Sequence, residues 1–485
     1  MNKRFTDSCT VNVEAMRDVL RPSENFDVIS RVLTVAGEPL TLFYIDGFTK
    51  DGELQKLMQY FLGLQKLGTA EEFLHTLPYV EAESCENPDA AVTAVLSGQT
   101  ALFAPEFGAR CVLLDLRTYP ARTTQEPESD RVMQGARDGF VETLVMNTAL
   151  VRRRVRDPRL TMEYFNLGGS SATDVVMCYM HGVADEKKLA ILRKKLKNAH
   201  PKSLTLGFQG LAETLIRTRW YNPFPKIRTT ERPDTAAAQV LEGNILIFVD
   251  TSPQVMLLPT SIFDYLQQTD DYYFPPLTGS YLRVVRTAIL LLSVISTPLW
   301  YLYLQYADRL PDALRFLIPQ HPGALPILLQ LFLTELAIDG LKIASMNTPD
   351  MLSNSLSVVG ALILGDFAVN IGWLCEDVIF YMAFVAIANF AQQNHELGYA
   401  FKFVRMLILA LTAGLGFPGF LLGVFLFFLL VAENHTVFGA ESYLYPLLPF
   451  NGRALCRLFF RTKKHDFEEE DTEKKKRTKK RESAG

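Results

Sequence analysis

Two pairs of polar side chains sit four residues apart inside otherwise apolar sequence: Glu335 with Asp339, and Asp366 with Asn370. Residues at that spacing share one face of a helix, so each pair draws a polar stripe along an apolar surface. A carboxylate in hydrocarbon is costly, and such groups face a bundle interior, a water-filled cavity or a partner. The chemistry the stripes support is attraction and passage of monovalent cations, which acidic side chains favour in a low dielectric. Asn389, near the end of another apolar run, joins Glu335, Asp339, Asp366 and Asn370 as a candidate for the polar path. The same residues also allow blander arrangements. Asp339 can pair with Lys342 on a short interfacial helix, and a protonated Asp366 can hydrogen-bond between helices.

Apolar helices must carry these stripes. Residues 287–307 are 21 positions without an ionisable side chain, bounded by Arg286 and Asp308. Residues 406–432 are 27 more, bounded by Arg405 and Glu433. With a rise of about 1.5 Å per residue, about 20 residues cross a ~30 Å hydrocarbon core, so both runs predict membrane helices. Residues 356–374, interrupted by Asp366, and residues 378–394 are further spans of sufficient length. Residues 327–341 are shorter and follow Pro319, Pro322 and Pro326, which suits a segment lying in or re-entering the interface. Four spans place an N-terminal region and a basic C-terminal tail on the same, cytoplasmic side. The loop bearing Lys402 and Arg405 then faces the opposite side. Arg283, Arg286 and Arg405 read as membrane-edge anchors, with Tyr272, Tyr273 and Phe274 as an interfacial belt. Gly419 and Gly423 form a GxxxG, the spacing that lets two helices approach closely.

The region before these runs has a different grammar. Residues 26–35 alternate apolar and polar, Ala36-Gly37-Glu38-Pro39 turn, and residues 40–45 return as a strand; a helix follows over 53–64. The same order recurs about 135 residues later, with Tyr179-Met180-His181-Gly182 matching Tyr44-Ile45-Asp46-Gly47. A second pair of segments, 90–114 and 238–258, repeats an apolar helix end, a glycine and two strands. The fold expected is an α+β soluble region, a duplicated β-β-α-α-β-β-like module, followed by an all-α polytopic membrane domain. The divisions expected are 1–137 and 138–282 for two soluble subdomains. Residues 283–432 form a transmembrane domain of about four to five helices, and 433–485 a cytoplasmic segment with a charged tail. The acidic-then-basic residues 466–485 read as disordered. Arg152, Arg153, Arg154 and Arg156 close a predicted helix over 139–157. They suit the negative end of the helix dipole, or an anionic membrane surface or a neighbouring subunit.

Several function classes recede on composition. A net charge of −4 over 485 residues argues against a nucleic-acid partner. The six cysteines are scattered without CxxC or metal-ligand spacing, which fits free thiols in a reducing compartment. The first 20 residues carry no apolar core of a secretory signal. No nucleophile–base set, P-loop or metal cluster stands out, so the expectation is a protein that is not an enzyme and needs no cofactor or metal.

Four stretches, FDVISRVLTVAGEPLTLFYIDGF (26–48), GFVETLVMNTALVRRRVRDPRL (139–160), YNPFPKIRTTERPD (221–234) and LEGNILIFVDTSP (241–253), resemble the GerA spore germination family, A-subunit type. VGALILGDFAV (359–369) and Glu396-Leu397-Gly398 extend the resemblance into the apolar half, so that it covers roughly 26–461. The Lys/Glu-rich extension after Arg461 lies outside that pattern. The resemblance implies a multi-pass protein of the inner spore membrane acting in germination, with its N-terminal domain on the core side. It further implies a homo-oligomeric ring whose membrane helices form an ion path, and work alongside a permease-like B-type subunit, a lipoprotein and other germination proteins. A non-conducting scaffold that assembles germination receptor complexes is the competing expectation. A secondary transporter is disfavoured by the lack of an inverted repeat.

Overall fold

The computed structural model describes residues 4–119, 130, 132, 134–216, 219–309, 311–347, 368–392, 394–434, 436–439 and 442–460. They fall into two compact units. The first comprises residues 1–218, 227–260 and 437–439; the second comprises 219–226, 261–436 and 440–485.

The first unit is built twice from one plan. Strands β1 (Val28–Val35) and β2 (Glu38–Ile45) pair antiparallel around a two-residue turn in which Ala36 and Gly37 both take positive φ. Such a turn matches the twist of the flanking strands. Helices α2 (Asp51–Leu62) and α3 (Ala70–Thr76) follow, then β3 (Ala82–Cys85), α4 (Pro88–Leu96), β4 (Thr100–Phe103) and β5 (Cys111–Leu114). Helix α1 (Cys9–Leu20) precedes the hairpin. The second copy runs α5 (Leu144–Arg154), β6 (Leu160–Leu167), β7 (Thr173–Met180), α6 (Glu186–Lys197), α7 (Gly207–Leu215), β8 (Arg228–Thr230), α8 (Pro233–Leu241), β9 (Ile245–Val249) and β10 (Val255–Leu258). The sheet orders are β1-β2-β4-β5-β3 and β6-β7-β9-β10-β8. Every pairing is antiparallel.

Each sheet buries both faces. In the first copy Met16 and Leu20 of α1 pack with Val92 and Val95 of α4 on one side, and Phe61 and Phe73 of α2 and α3 pack on the other. The copies agree in side-chain detail. Asn12 of α1 accepts from the Thr6 backbone N–H at 2.9 Å and donates to the Thr6 carbonyl at 2.7 Å. Asn147 of α5 treats Val141 in the same way, at 2.8 and 2.5 Å. Gly47 and Gly182, and Gly98 and Gly243, occupy matching turns at positive φ, where a Cβ is disfavoured.

Each copy is larger than the expected β-β-α-α-β-β. The leading helix, one further helix and the edge strand β3 or β8 are additions. Those edge strands have four and three residues, too few to register as an alternation. The copies are stitched by α5. Arg152, fully buried, donates to both oxygens of Asp27 at 2.8 and 3.0 Å and to the Leu160 carbonyl at 3.0 Å. Arg154 holds Asp138 at 2.6 Å, and Arg153 lies 4.5 Å over the Tyr119 ring. Three of the four arginines therefore have partners within this unit.

The second unit is helical. Its main helices are α9 (Asp270–Tyr273), α10 (Pro276–Gln305), α11 (Ile327–Asn347), α12 (Glu376–Phe390), α13 (His395–Leu415) and α14 (Phe417–Ala432). Among the described residues, α10 and α13 are long and apolar enough to cross a membrane, and α14 is a shorter apolar helix. The 27-residue run is not one span. It breaks at Gly416, whose φ of +64° and ψ of −138° are disfavoured for a residue with a Cβ, and Pro418 opens the next helix. Helices α13 and α14 fold back as an antiparallel hairpin. A Cβ on Gly419 would collide with the Leu411 carbonyl oxygen, and one on Gly423 would come within 2.9 Å of Ile408 Cα. The residues around Lys402, expected to be a loop, lie inside α13, which Asn394 caps by accepting from Leu397 N–H at 2.8 Å.

Candidate functional site

Helix α11 brings the first acidic stripe against α13. Thr334, Glu335 and Gln330 are buried on α11, while Lys402 and Arg405, three apart on α13, are 7% and 2% exposed. Arg405 donates through Nη2 to both Glu335 oxygens, at 2.7 and 2.8 Å, and through Nη1 to the Ser293 carbonyl of α10 at 3.4 Å. Lys402 pairs with Asp339 and lies 3.8 Å from Glu335. Two acids four apart thus meet two bases three apart, and a third helix supplies a carbonyl. The four formal charges, −1, −1, +1 and +1, sum to zero.

That neutrality revises the sequence reading. The acidic stripe is not bare: its carboxylates are held by cations, and Asp339 takes Lys402 rather than Lys342. Lys342 instead sits 4.7 Å over the Tyr399 ring. Pairing is what makes the burial tolerable, since an isolated charge in such a site costs several kcal/mol. A polar frame supports the cluster. Gln330 donates to the Pro322 and Leu325 carbonyls at 2.6 and 2.7 Å and accepts from Cys375 N–H at 2.8 Å, which ties α11 to the start of α12. Thr334 and Thr412 turn their hydroxyls onto their own helices, to Gln330 O and Ile408 O.

The other candidates are placed differently. Asn370 is exposed at the end of the short turn Ala368–Asn370 and is not drawn into the cluster. Asn389 is half-buried near the end of α12, with Oδ1 shielded from solvent and lacking a hydrogen bond, as are both amide atoms of buried Gln392. Asp366 lies outside the described residues, as does the tail 466–485. Gly419 and Gly423 line the α13–α14 contact. Arg405, expected as a membrane-edge anchor, sits inside α13, buried and paired with Glu335. Arg283 and Arg286, near the start of α10, converge on buried Asp271 of α9, at 3.2 Å for Arg283 and 3.0 Å for Arg286. Arg283 also stacks 4.7 Å over Tyr272. The two arginines expected as membrane-edge anchors thus share one buried carboxylate.

Sequence reasoning found both acids of the main cluster and missed that Lys402 and Arg405 answer them. A signal existed. Lys402 and Arg405, three apart, share a helix face just as the acids four apart do, but the charge-free run begins only after Arg405.

The family model of the Bacillus/Clostridium GerA spore germination protein matches residues 14–472, which carries the family pattern past Arg461. Stage V sporulation protein AF of Bacillus subtilis is 34% identical over 93% of this chain and 92% of its own length. Spore germination protein KA of the same organism is 26% identical over 90% of this chain and 81% of its own. The crystal structure of the N-terminal domain of the A subunit of the Bacillus megaterium spore germinant receptor GerK3 overlaps 52% of this chain and 95% of that domain, with 23% identity and a TM-score of 0.38. By the extent of the family match and the identity to a full-length relative, this chain belongs to the GerA spore germination protein family.

Proposed function

We propose that this protein is an ion-conducting or ion-release component of the inner spore membrane, acting as a homo-oligomer with a permease-like partner. The observation that carries the reading is the buried Glu335–Arg405–Lys402–Asp339 cluster within an apolar helical unit. Intramembrane ionisable groups are retained against their cost where they line or control an ion path. The outer surface of the same unit is apolar: Leu291, Leu292 and Ile295 of α10, Phe380, Ile387 and Phe390 of α12, and Leu421, Phe425 and Phe428 of α14 are exposed. Apolar area of that extent is suited to lipid or to neighbouring copies. In this reading the helices cross the bilayer, the soluble unit faces the spore core, and the cluster acts as a latch. Separating α11 from α13 frees two carboxylates and opens a polar route that is closed while they are paired.

The neutrality of the cluster favours a second reading. Four mutually satisfied charges also make a rigid helix lock, which is what a non-conducting scaffold for germination receptor complexes needs. The two readings separate in vesicles that contain purified protein with its permease-like partner. Conduction predicts monovalent-cation release that Glu335→Gln alters; a scaffold predicts no release from either protein, with Glu335→Gln affecting only assembly.

A further inference from the structure

Cys85 closes the edge strand β3 and lies directly opposite Cys111 in the β3–β5 ladder. Residues paired in that way project from the same face, with Cβ atoms roughly 4.5–5.5 Å apart. A disulfide needs about 3.5–4.5 Å, so a displacement on the order of an ångström brings the sulfurs into bonding geometry. Strand β3 can make it, because it pairs on one side only, at the end of the sheet order. The fold does not demand thiols here. In the second copy the equivalent register places Thr230 opposite Val255.

The two sulfurs are chemically unequal. Cys111 is fully buried, while Cys85 is partly open to solvent. The Cys85 S–H donates to the Asn87 carbonyl at 3.3 Å; the adjacent Cys111 thiol brings the Cys85 pKa down to about 6, while that of Cys111 stands far above the ordinary thiol range. Glu83 and Glu86 oppose the lowering at Cys85, and Glu86 is itself held by Arg110 at 2.9 Å. Exposure and the lower pKa together make Cys85 the attacking sulfur and leave buried Cys111 to resolve.

We propose that Cys85 and Cys111 form a thiol–disulfide pair oxidised by small-molecule disulfides, with Cys85 attacking and Cys111 resolving. The Cys85 thiolate attacks one sulfur of the small disulfide, forming a mixed disulfide and expelling one small thiolate. Cys111 gives up its proton to solvent and attacks the Cys85 sulfur, expelling the second small thiolate. Two protein thiols are oxidised and one disulfide is reduced to two thiols. The bond clamps the edge strand to β5 and closes the loop that contains α4 and β4.

The test exposes the full-length protein to oxidised glutathione, followed by alkylation and peptide mapping. Cys178, fully buried in the second copy, serves as the folding control because it must stay unalkylated. In wild type, Cys85 and Cys111 are expected to leave the alkylatable pool together and to appear as one cross-linked peptide without retained glutathione. Cys111→Ser should trap glutathione on Cys85, and Cys85→Ser should leave Cys111 unmodified. Wild type that retains glutathione on Cys85, or keeps both thiols free while exposed Cys456 reacts, overturns the proposal. So does a folded Cys85→Ser protein whose Cys111 is modified as fast as in wild type.

Discussion

Replacing Arg405 with Met removes the guanidinium that holds both oxygens of Glu335. The carboxylate left behind is 5% exposed and keeps only Lys402, at 3.8 Å and shared with Asp339. The formal charge of the cluster moves from zero to −1. Glu335→Gln moves it to +1 by leaving Arg405 with an amide and a backbone carbonyl. Removing one partner of a buried pair destabilises by about 3–5 kcal/mol, because the surviving charge stays desolvated. Replacing both partners by apolar residues of similar size is often neutral or stabilising. The double variant Glu335→Leu/Arg405→Met should therefore recover most of what either single change loses. For a unit of this size each kcal/mol moves the melting midpoint by about 2–4 °C, so each single variant should melt roughly 6–20 °C lower. The assay is thermal unfolding of the four proteins in one detergent, treated as a double-mutant cycle. Single variants that melt within about 1 °C of wild type, or a double variant that loses the sum of both, refute the buried-pair account.

Three further outcomes follow from the packing and charge. Gly419→Ala and Gly423→Ala should each cost about 1–3 kcal/mol by overpacking the α13–α14 contact, while Gly398→Ala and Gly414→Ala, where a Cβ meets nothing within 4 Å, should be neutral or slightly stabilising; helix content during denaturation distinguishes them. In the first unit, Asp27→Asn should lower stability by about 3–5 kcal/mol through the Arg152 left unpaired, as read by the denaturant midpoint, whereas exposed Arg156→Ala should leave it unchanged. Arg117 donates to Asp115 and holds its carboxyl below the ordinary value of 3.8. That contribution to stability is complete above the unfolded-state value and is lost as pH falls through it toward the depressed one. An acid titration of Asp115→Asn should then fall less steeply than wild type below about pH 4, and parallel curves would count against the pairing.

The sequence was most legible where patterns are local. The β1–β2 hairpin shows in the alternation before Ala36-Gly37 and the strand-length apolar run after it, and the duplication shows because Gly47 and Gly182 recur at turns that require positive φ. Lone short strands such as β8 carry too few residues for a period and exist because β10 offers them an edge. The 27-residue charge-free run reads as one crossing on its lack of charge alone, but its length says otherwise. At about 1.5 Å per residue it would extend roughly 40 Å, well past the hydrocarbon core, and Gly416 with Pro418 marks where it turns. The ion-pair centre was half visible. Glu335 and Asp339 announce themselves by cost, but their partners lie 70 residues away along the chain in the case of Arg405, and only packing of α11 on α13 joins them.

The central claim, that the buried cluster latches an ion path, is tested most directly by single-channel recording. Wild type and Glu335→Gln would be reconstituted in planar bilayers with the permease-like partner. The account predicts discrete cation currents whose open probability rises when the Glu335–Arg405 pair is removed. Silent bilayers from both proteins, each shown to be folded and assembled with the partner, would contradict it and leave the scaffold reading standing.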